Sequence, residues 1–238
     1  MSGKHWKQLF NPGGGLRYHA RAAFYRGTRW RHFREGLAQW LEDWVPSSVA
    51  PTQDLLIIAP SGGHCLPSPW LGAFRSVSAV DIDPLAPLFF RKNHAAALPS
   101  DRLHWTHADV FQDWRPLMLA HPKHLILFGN FLGQAHEVNE KQAELWFEML
   151  QADLRGRKWA SFHDRYSGKI EPIKNTVAFE SPTRASPGEL LKHFYSAQST
   201  GELCEHELPK IFPEQAPYCY WSWPLSKQQF HIIEGYRC

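Results

Sequence analysis

The 238-residue chain is poor in cysteine and has no apolar run near the roughly 18 residues that a bilayer span requires. Its four cysteines, Cys65, Cys204, Cys219 and Cys238, lie far apart and form no C-x-x-C, which argues against a zinc knuckle, a redox pair or a disulfide framework. They read as reduced thiols. The opening MSGKHWKQLFNPGGG lacks the apolar stretch of a signal peptide, so the expected compartment is the cytoplasm, with no membrane partner. G-x-S-x-G, the phosphate loop G-x-x-x-x-G-K and G-x-G-x-x-G are missing too, which weakens hydrolase, nucleotide-triphosphatase and nicotinamide-dehydrogenase readings. Among 14 histidines, His104 and His107 and likewise His121 and His124 are three residues apart. On a strand such pairs face opposite ways, so no metal site is expected.

Acid is absent from residues 1–34, where Lys4, Lys7, Arg17, Arg21, Arg26, Arg29, Arg31 and Arg34 make the segment strongly basic, whereas the whole chain carries only +3. Trp6, Phe10, Tyr18, Phe24, Tyr25, Trp30 and Phe33 are interleaved with these charges, a composition able to neutralise phosphates and stack on bases. The solvated face of a helix explains the same residues, and nucleic acid is not the favoured partner. Trp30, Phe33, Leu37, Trp40, Leu41 and Trp44 recur at spacings of three and four. This predicts an amphipathic helix from Thr28 as N-cap to Pro46, with its aromatic face toward a core. The expected organisation is a basic, aromatic-rich helical arm over residues 1–50 and an α/β domain over residues 51–238.

From Asp54 onward short apolar runs alternate with helical patterns, as in a parallel sheet with crossover helices. Leu55–Ala59 reads as a central strand, Val77–Ile82 as the second, Leu103–Thr106 as the third, Leu125–Phe128 as the fourth and Trp159–Phe162 as the fifth. Between them, Ser68 before Pro69, Asp83-Pro84 and Asn139 are expected to open helices. Ser186-Pro187-Gly188-Glu189 has capping-box spacing. Two β-like stretches, Leu203–Phe212 and Phe230–Tyr236, suggest a closing antiparallel pair joined by a Pro- and Trp-rich connection over Pro213–Pro224.

Ligands of open parallel sheets bind beyond the carboxyl ends of the strands. After the first strand, Ser61-Gly62-Gly63 lets backbone approach a ligand closely, and the helix that follows offers free N–H groups to an anion. Asp81, at the end of the second strand, can accept hydrogen bonds from both hydroxyls of a ribose, whereas Asp83 before Pro84 is better placed as a helix cap. Asp109 after the third strand can accept from an exocyclic amine. In this order IIAPSGGHC, SAVDIDP, HADVF and LFGNFLGQ resemble the class I S-adenosylmethionine-dependent methyltransferase superfamily over roughly residues 53–236. The resemblance implies a Rossmann-like α/β fold, a doubly wound and mainly parallel sheet with a C-terminal antiparallel strand pair. It further implies S-adenosylmethionine as cofactor, with Gly62 and Gly63 at its methionine portion, Asp81 on the ribose and Asp109 at the adenine. The chain departs from the family at Ala59, where an acid usually closes the first strand, and at Ser61 and Cys65, which stand where the family has glycine.

On the acceptor side, Asn130, Phe131 and Gln134 follow the fourth strand and offer amides and an aromatic face. At the fifth strand His163-Asp164-Arg165 concentrates titratable groups. A histidine poised by Asp164 would serve as general base, with Arg165 at the substrate, while an ordinary Asp–Arg pair beside a surface histidine is the alternative. The expected activity is methyl transfer by direct displacement to an unidentified acceptor, a small molecule, RNA or protein. The alternative is a methyltransferase-like fold that no longer catalyses and binds or scaffolds through the basic arm.

Overall fold

A computed structural model describes residues 15–135, 140–169, 177–195, 203–226 and 229–238. The arm residues Lys4, Trp6, Lys7 and Phe10 and the expected cap Asn139 lie outside that set. Two helices come first, α1 (Gly15–Tyr25) and α2 (Arg31–Trp44). Five parallel-strand units follow: β1 (Asp54–Ile58), α3 (Ser68–Ala73), β2 (Ser76–Asp81), α4 (Ala86–His94), β3 (Leu103–His107), α5 (Val110–Ala120), β4 (Leu125–Gly129), α6 (Glu140–Asp153) and β5 (Trp159–Gly168). The chain closes with β6 (Phe179–Ser181), α7 (Pro187–Phe194), β7 (Leu203–Glu205), β8 (Tyr218–Pro224) and β9 (Phe230–Arg237).

The sheet order is β3-β2-β1-β4-β5-β9-β8-β6, with β7 pairing β5 alone. β1 through β5 are mutually parallel, whereas β9 runs antiparallel between β5 and β8. Successive side chains of a strand point to opposite faces, and the two cores divide accordingly. Leu55, Ile57, Val77 and Ala79 pack with helices α1–α4, and Leu56, Ile58, Val80 and Ile126 pack with α5–α7. Helices thus cover both faces, and the central strands are apolar on both sides.

Several local expectations change. Thr28 is not the α2 cap: it lies in the turn after α1, its hydroxyl donating to Tyr25 O, and α2 begins at Arg31 with no side-chain cap. Ser68 does not cap α3 either, because its hydroxyl is turned onto His94 Nδ1 at 2.8 Å. The capping box of Ser186 and Glu189 forms as the spacing predicts. In the closing antiparallel pair, the partner of β9 is Tyr218–Pro224 rather than Leu203–Phe212, of which only Leu203–Glu205 is strand. The supposed connection is therefore largely β8, whose Trp221 and Trp223 lie in the core against Trp40, Phe33 and Trp30 of the N-terminal helices. Gly36 of α2 makes this contact possible, since a Cβ there would stand 2.6 Å from Trp221 Nε1.

Candidate functional site

A cleft of about 210 Å³ opens beyond the carboxyl ends of β1, β2 and β4. Its walls bring together Ser61, Gly63, Asp81, Asp109, Asn130, Phe131 and Gln134, all singled out in the sequence, while Gly62 sits in the same loop without lining it. Sequence reasoning missed Gly15 and Tyr18 from α1, and Phe111, Phe162 and Trp223 from the sheet and its helices. Asp83 lines the cleft as well.

The loop after β1 is tightly folded. Ala59 and Ser61 have φ of 53° and 49°, and Gly63 has φ of 63°, so the chain takes left-handed turns at three nearby positions, two of them non-glycine. Asp81 holds this loop: its Oδ2 accepts from Ser61 N at 2.7 Å and its Oδ1 from Asp83 N at 2.8 Å. Burial raises the Asp81 carboxyl to about 6 despite those two N–H donors. Each carboxyl oxygen retains a lone pair for a further donor. Ser61 Oγ is buried and has no hydrogen-bond partner.

Asp83 is held by three donors: Leu85 N at 2.9 Å, in the capping role expected of it, together with Gly15 N at 3.0 Å and His19 Nε2 at 3.1 Å from α1. A hydrogen-bond chain continues behind the glycine loop. His19 Nδ1 lies 2.9 Å from His64 Nε2, and His64 Nδ1 lies 3.0 Å from Asn93 Nδ2. The Asn93 amide nitrogen can only donate, so it sets the direction of the chain: His64 accepts at Nδ1 and donates from Nε2 to His19 Nδ1, and His19 Nε2 donates to Asp83. Burial pushes His64 down to about 3 and His94 to about 4, which keeps both rings neutral. Asp109 caps α5, accepting from Phe111 N at 3.1 Å and Gln112 Nε2 at 2.9 Å.

At the other end, Asn130 follows β4 with φ of 54°. Its Oδ1 accepts from Asp164 N at 2.9 Å, and Gln134 Nε2 donates to Asp164 Oδ2 at 2.8 Å. Gly133 lets this turn press onto β5, since a Cβ there would stand 2.1 Å from the Asp164 carbonyl oxygen.

The expected pairing of His163 with Asp164 does not occur, and the physical reason is the alternation of a strand. His163 is wholly buried on the opposite face, where Nδ1 meets Ser161 Oγ at 2.8 Å and Nε2 meets Glu234 Oε1 at 3.2 Å. Arg165 pairs with Glu205 rather than with Asp164. None of His163, Asp164 and Arg165 lines the cleft. The imidazole beside Asp164 is that of His231, with Nδ1 3.1 Å from Asp164 Oδ1. Burial alone would raise the Asp164 carboxyl, but His231 and Gln134 hold it down at about 2.

No protein-family model and no curated protein matches the chain. Among solved structures it is similar to the N-methyltransferase NodS from Bradyrhizobium japonicum WM9 in complex with S-adenosylhomocysteine, at 12% identity over 98% of this chain and 96% of that one, TM-score 0.43. It is similar to DhpI in its S-adenosylhomocysteine complex at 13% identity over 98% of both chains, TM-score 0.38. An RNA methyltransferase from Salinibacter ruber, also with S-adenosylhomocysteine, shares 16% identity over 74% of this chain and 94% of that one, TM-score 0.35. By its strand order, five parallel strands β3-β2-β1-β4-β5 followed by the antiparallel β9, the chain has a Rossmann-like α/β fold.

Proposed function

We propose that the protein is an S-adenosylmethionine-dependent methyltransferase whose cofactor occupies the cleft over β1, β2 and β4. The observation that carries this reading is the convergence of Ser61, Gly63, Asp81, Asp109, Asn130 and Gln134, distant in the chain, on one cleft at the switch point of the sheet. The residues present fit the cofactor: Asp81 has lone pairs free for a ribose diol, and the buried Ser61 hydroxyl lacks a partner that a ligand carboxylate would supply. Ser61 and Gly63, which line the cleft, would lie along the methionine portion, and Asp109 beside the adenine, while Gly62 would serve only the turn.

The bound cofactor supplies an electrophilic methyl group, so the protein's task is alignment and exclusion of water rather than covalent attack. Tyr18, Phe111, Phe131, Phe162 and Trp223 close the cleft with rings. Asn130 and Gln134, anchored through the buried Asp164, would orient the acceptor.

Titration calorimetry of cofactor-free protein with S-adenosylmethionine and S-adenosylhomocysteine tests the reading. Micromolar binding, about −8 kcal/mol, that is lost in Asp81→Ala is the expected result. Absence of heat at millimolar ligand refutes it and leaves a fold used for binding or scaffolding.

A further inference from the structure

Helices α1 and α4 lie side by side and run in the same direction. Gly15 N meets Asp83 just ahead of α4, the His19 ring stacks on Phe89 at 4.0 Å between centroids, and Arg26, just past α1, donates to Asn93 near the end of α4. His19, Ala22, Phe90 and His94 take the inward sides of the pair. The outward sides therefore make one surface, and it adjoins the cleft, which Gly15, Tyr18 and Asp83 line.

That surface has a restricted composition. On α1 the exposed residues are Leu16, Arg17, Ala20, Ala23 and Phe24. On α4 they are Leu88, Arg91 and Lys92. Each is apolar or cationic, with no acid and no neutral polar side chain among them. Leu16 is 54% exposed, Phe24 79% and Leu88 65%. One such side chain in water is ordinary, but three on two packed helices form a patch that marks an interaction site. Arg17, Arg91 and Lys92 make no ion pair or hydrogen bond among the described residues, and Arg26 adds a further exposed cation. Elsewhere the basic arm is spent on the fold itself: Arg31 pairs with Glu35, while Arg29 and Arg34 donate to the carbonyls of Ser226 and Arg26.

We infer that the α1–α4 face docks on an anionic lipid bilayer, with Leu16, Phe24 and Leu88 entering the acyl boundary and Arg17, Arg26, Arg91 and Lys92 meeting the headgroups. This occupant uses both halves of the composition, since an interfacial helix needs apolar area and cations and nothing else. Nucleic acid would use the cations alone, because Leu16, Leu88 and the alanines neither stack on bases nor hydrogen-bond to phosphate. A second copy packed on the same face would set cation against cation. A protein partner is specified by directional hydrogen bonds, for which the exposed residues of these helices offer only the cations. No helix among the described residues is long and apolar enough to cross a membrane. That concerns spanning, and a helix pair lying in the interface is a different case, so the expectation of no membrane partner is revised at this face.

The test is flotation of the whole chain with vesicles of phosphatidylcholine alone and of phosphatidylcholine mixed equally with phosphatidylglycerol. The protein is expected to float with the mixed vesicles, to stay behind with the neutral ones, and to be released as salt is raised. Arg91→Gln and Lys92→Gln should each weaken partitioning about fivefold, and Phe24→Ser or Leu88→Ser at least about tenfold. These side chains are exposed and none lines the cleft, so Tm and S-adenosylhomocysteine affinity should not change. Failure to float with the mixed vesicles overturns the inference, whether or not the protein binds S-adenosylhomocysteine. So does flotation that folded Phe24→Ser and Leu88→Ser leave undiminished, binding to single-stranded polyuridylate in place of the vesicles, or a dimer that Leu88→Ser dissociates.

Discussion

Replacing Ser61 by glycine is expected to stabilise the protein, although glycine substitutions usually do the opposite. Ser61 has φ of 49°, and a left-handed residue with a Cβ costs about 1–2 kcal/mol. Its hydroxyl is buried without a partner, which adds roughly 1 kcal/mol at the low end of the range for unsatisfied groups. Against these stands the extra freedom of glycine in the unfolded chain, about 0.5–1 kcal/mol. The Ser61 N–H bond to Asp81 Oδ2 survives the change because it is backbone. The net gain is about 1.5 kcal/mol. For 238 residues the unfolding entropy near the midpoint is about 0.5 kcal/mol/K, so Tm should rise by about 3 °C. Differential scanning calorimetry checks this, with Gly63→Ala as the control. There φ is 63° and a Cβ would stand 2.4 Å from His94 Nε2, so stability should fall by roughly 3 kcal/mol or more. A lower Tm for Ser61→Gly would refute the reasoning, since it would mean that the hydroxyl has a native partner or that the loop is not left-handed there. If Ser61 also meets the cofactor, the same variant should bind S-adenosylhomocysteine more weakly while melting higher.

Three further outcomes follow from the packing and the buried charges. Gly36→Ala lies inside a helix, where alanine normally gains about 1 kcal/mol, yet the Cβ would meet Trp221 at 2.6 Å at a cost of about 1–3 kcal/mol, so urea denaturation should show a net loss of up to about 2 kcal/mol; a stabilised variant would show that Trp221 is free to move. His64 and His94 titrate natively at about 3 and 4, below the unfolded value of about 6.5, so the stability they provide is complete above pH 6.5. It declines as pH falls toward 4, by up to about 1.4 kcal/mol per pH unit for each ring. Asp81, raised to about 6, works in the opposite direction between pH 6 and 4 and offsets about one of the two. Urea melts from pH 7 to 4 should therefore show falling midpoints, flattened in His64→Asn, and unchanged midpoints would contradict the burial of these rings. Because Asp81 becomes protonated below about pH 6, S-adenosylhomocysteine affinity should weaken by up to about tenfold per pH unit from there, and a pH-independent affinity would remove Asp81 from the ribose role.

The parallel core was legible because each of its strands is a short apolar run bounded by turn residues, and LLII, SAV and LILF were found within a residue or two of their ends. Of the closing pair, Phe230–Tyr236 was read as β9 is, and only its partner was misread, for a local reason. Pro213, Pro217 and Pro224 bracket Tyr218–Trp223 and imitate a loop, whereas a strand buried between β9 and β6 tolerates proline at its end. The opposite facing of His163 and Asp164 was available in the sequence, since neighbours on a strand never share a face, but the length of β5 to Gly168 was not.

The sequence by itself determined the alternation of strand and helix, the glycine loop, Asp81 as the residue that closes β2, and Asp109, Asn130 and Gln134 as residues past strand ends, because periodicity and turn chemistry are local. Only tertiary structure decided that α1 would bring Gly15, Tyr18 and His19 to the loop, that Trp223 would wall the cleft, and that Asp164 would face His231. Those contacts depend on the antiparallel insertion of β9 beside β5 and on helix packing across the sheet. Such long-range pairings are set by which buried surfaces fit together, and no spacing along the chain records them.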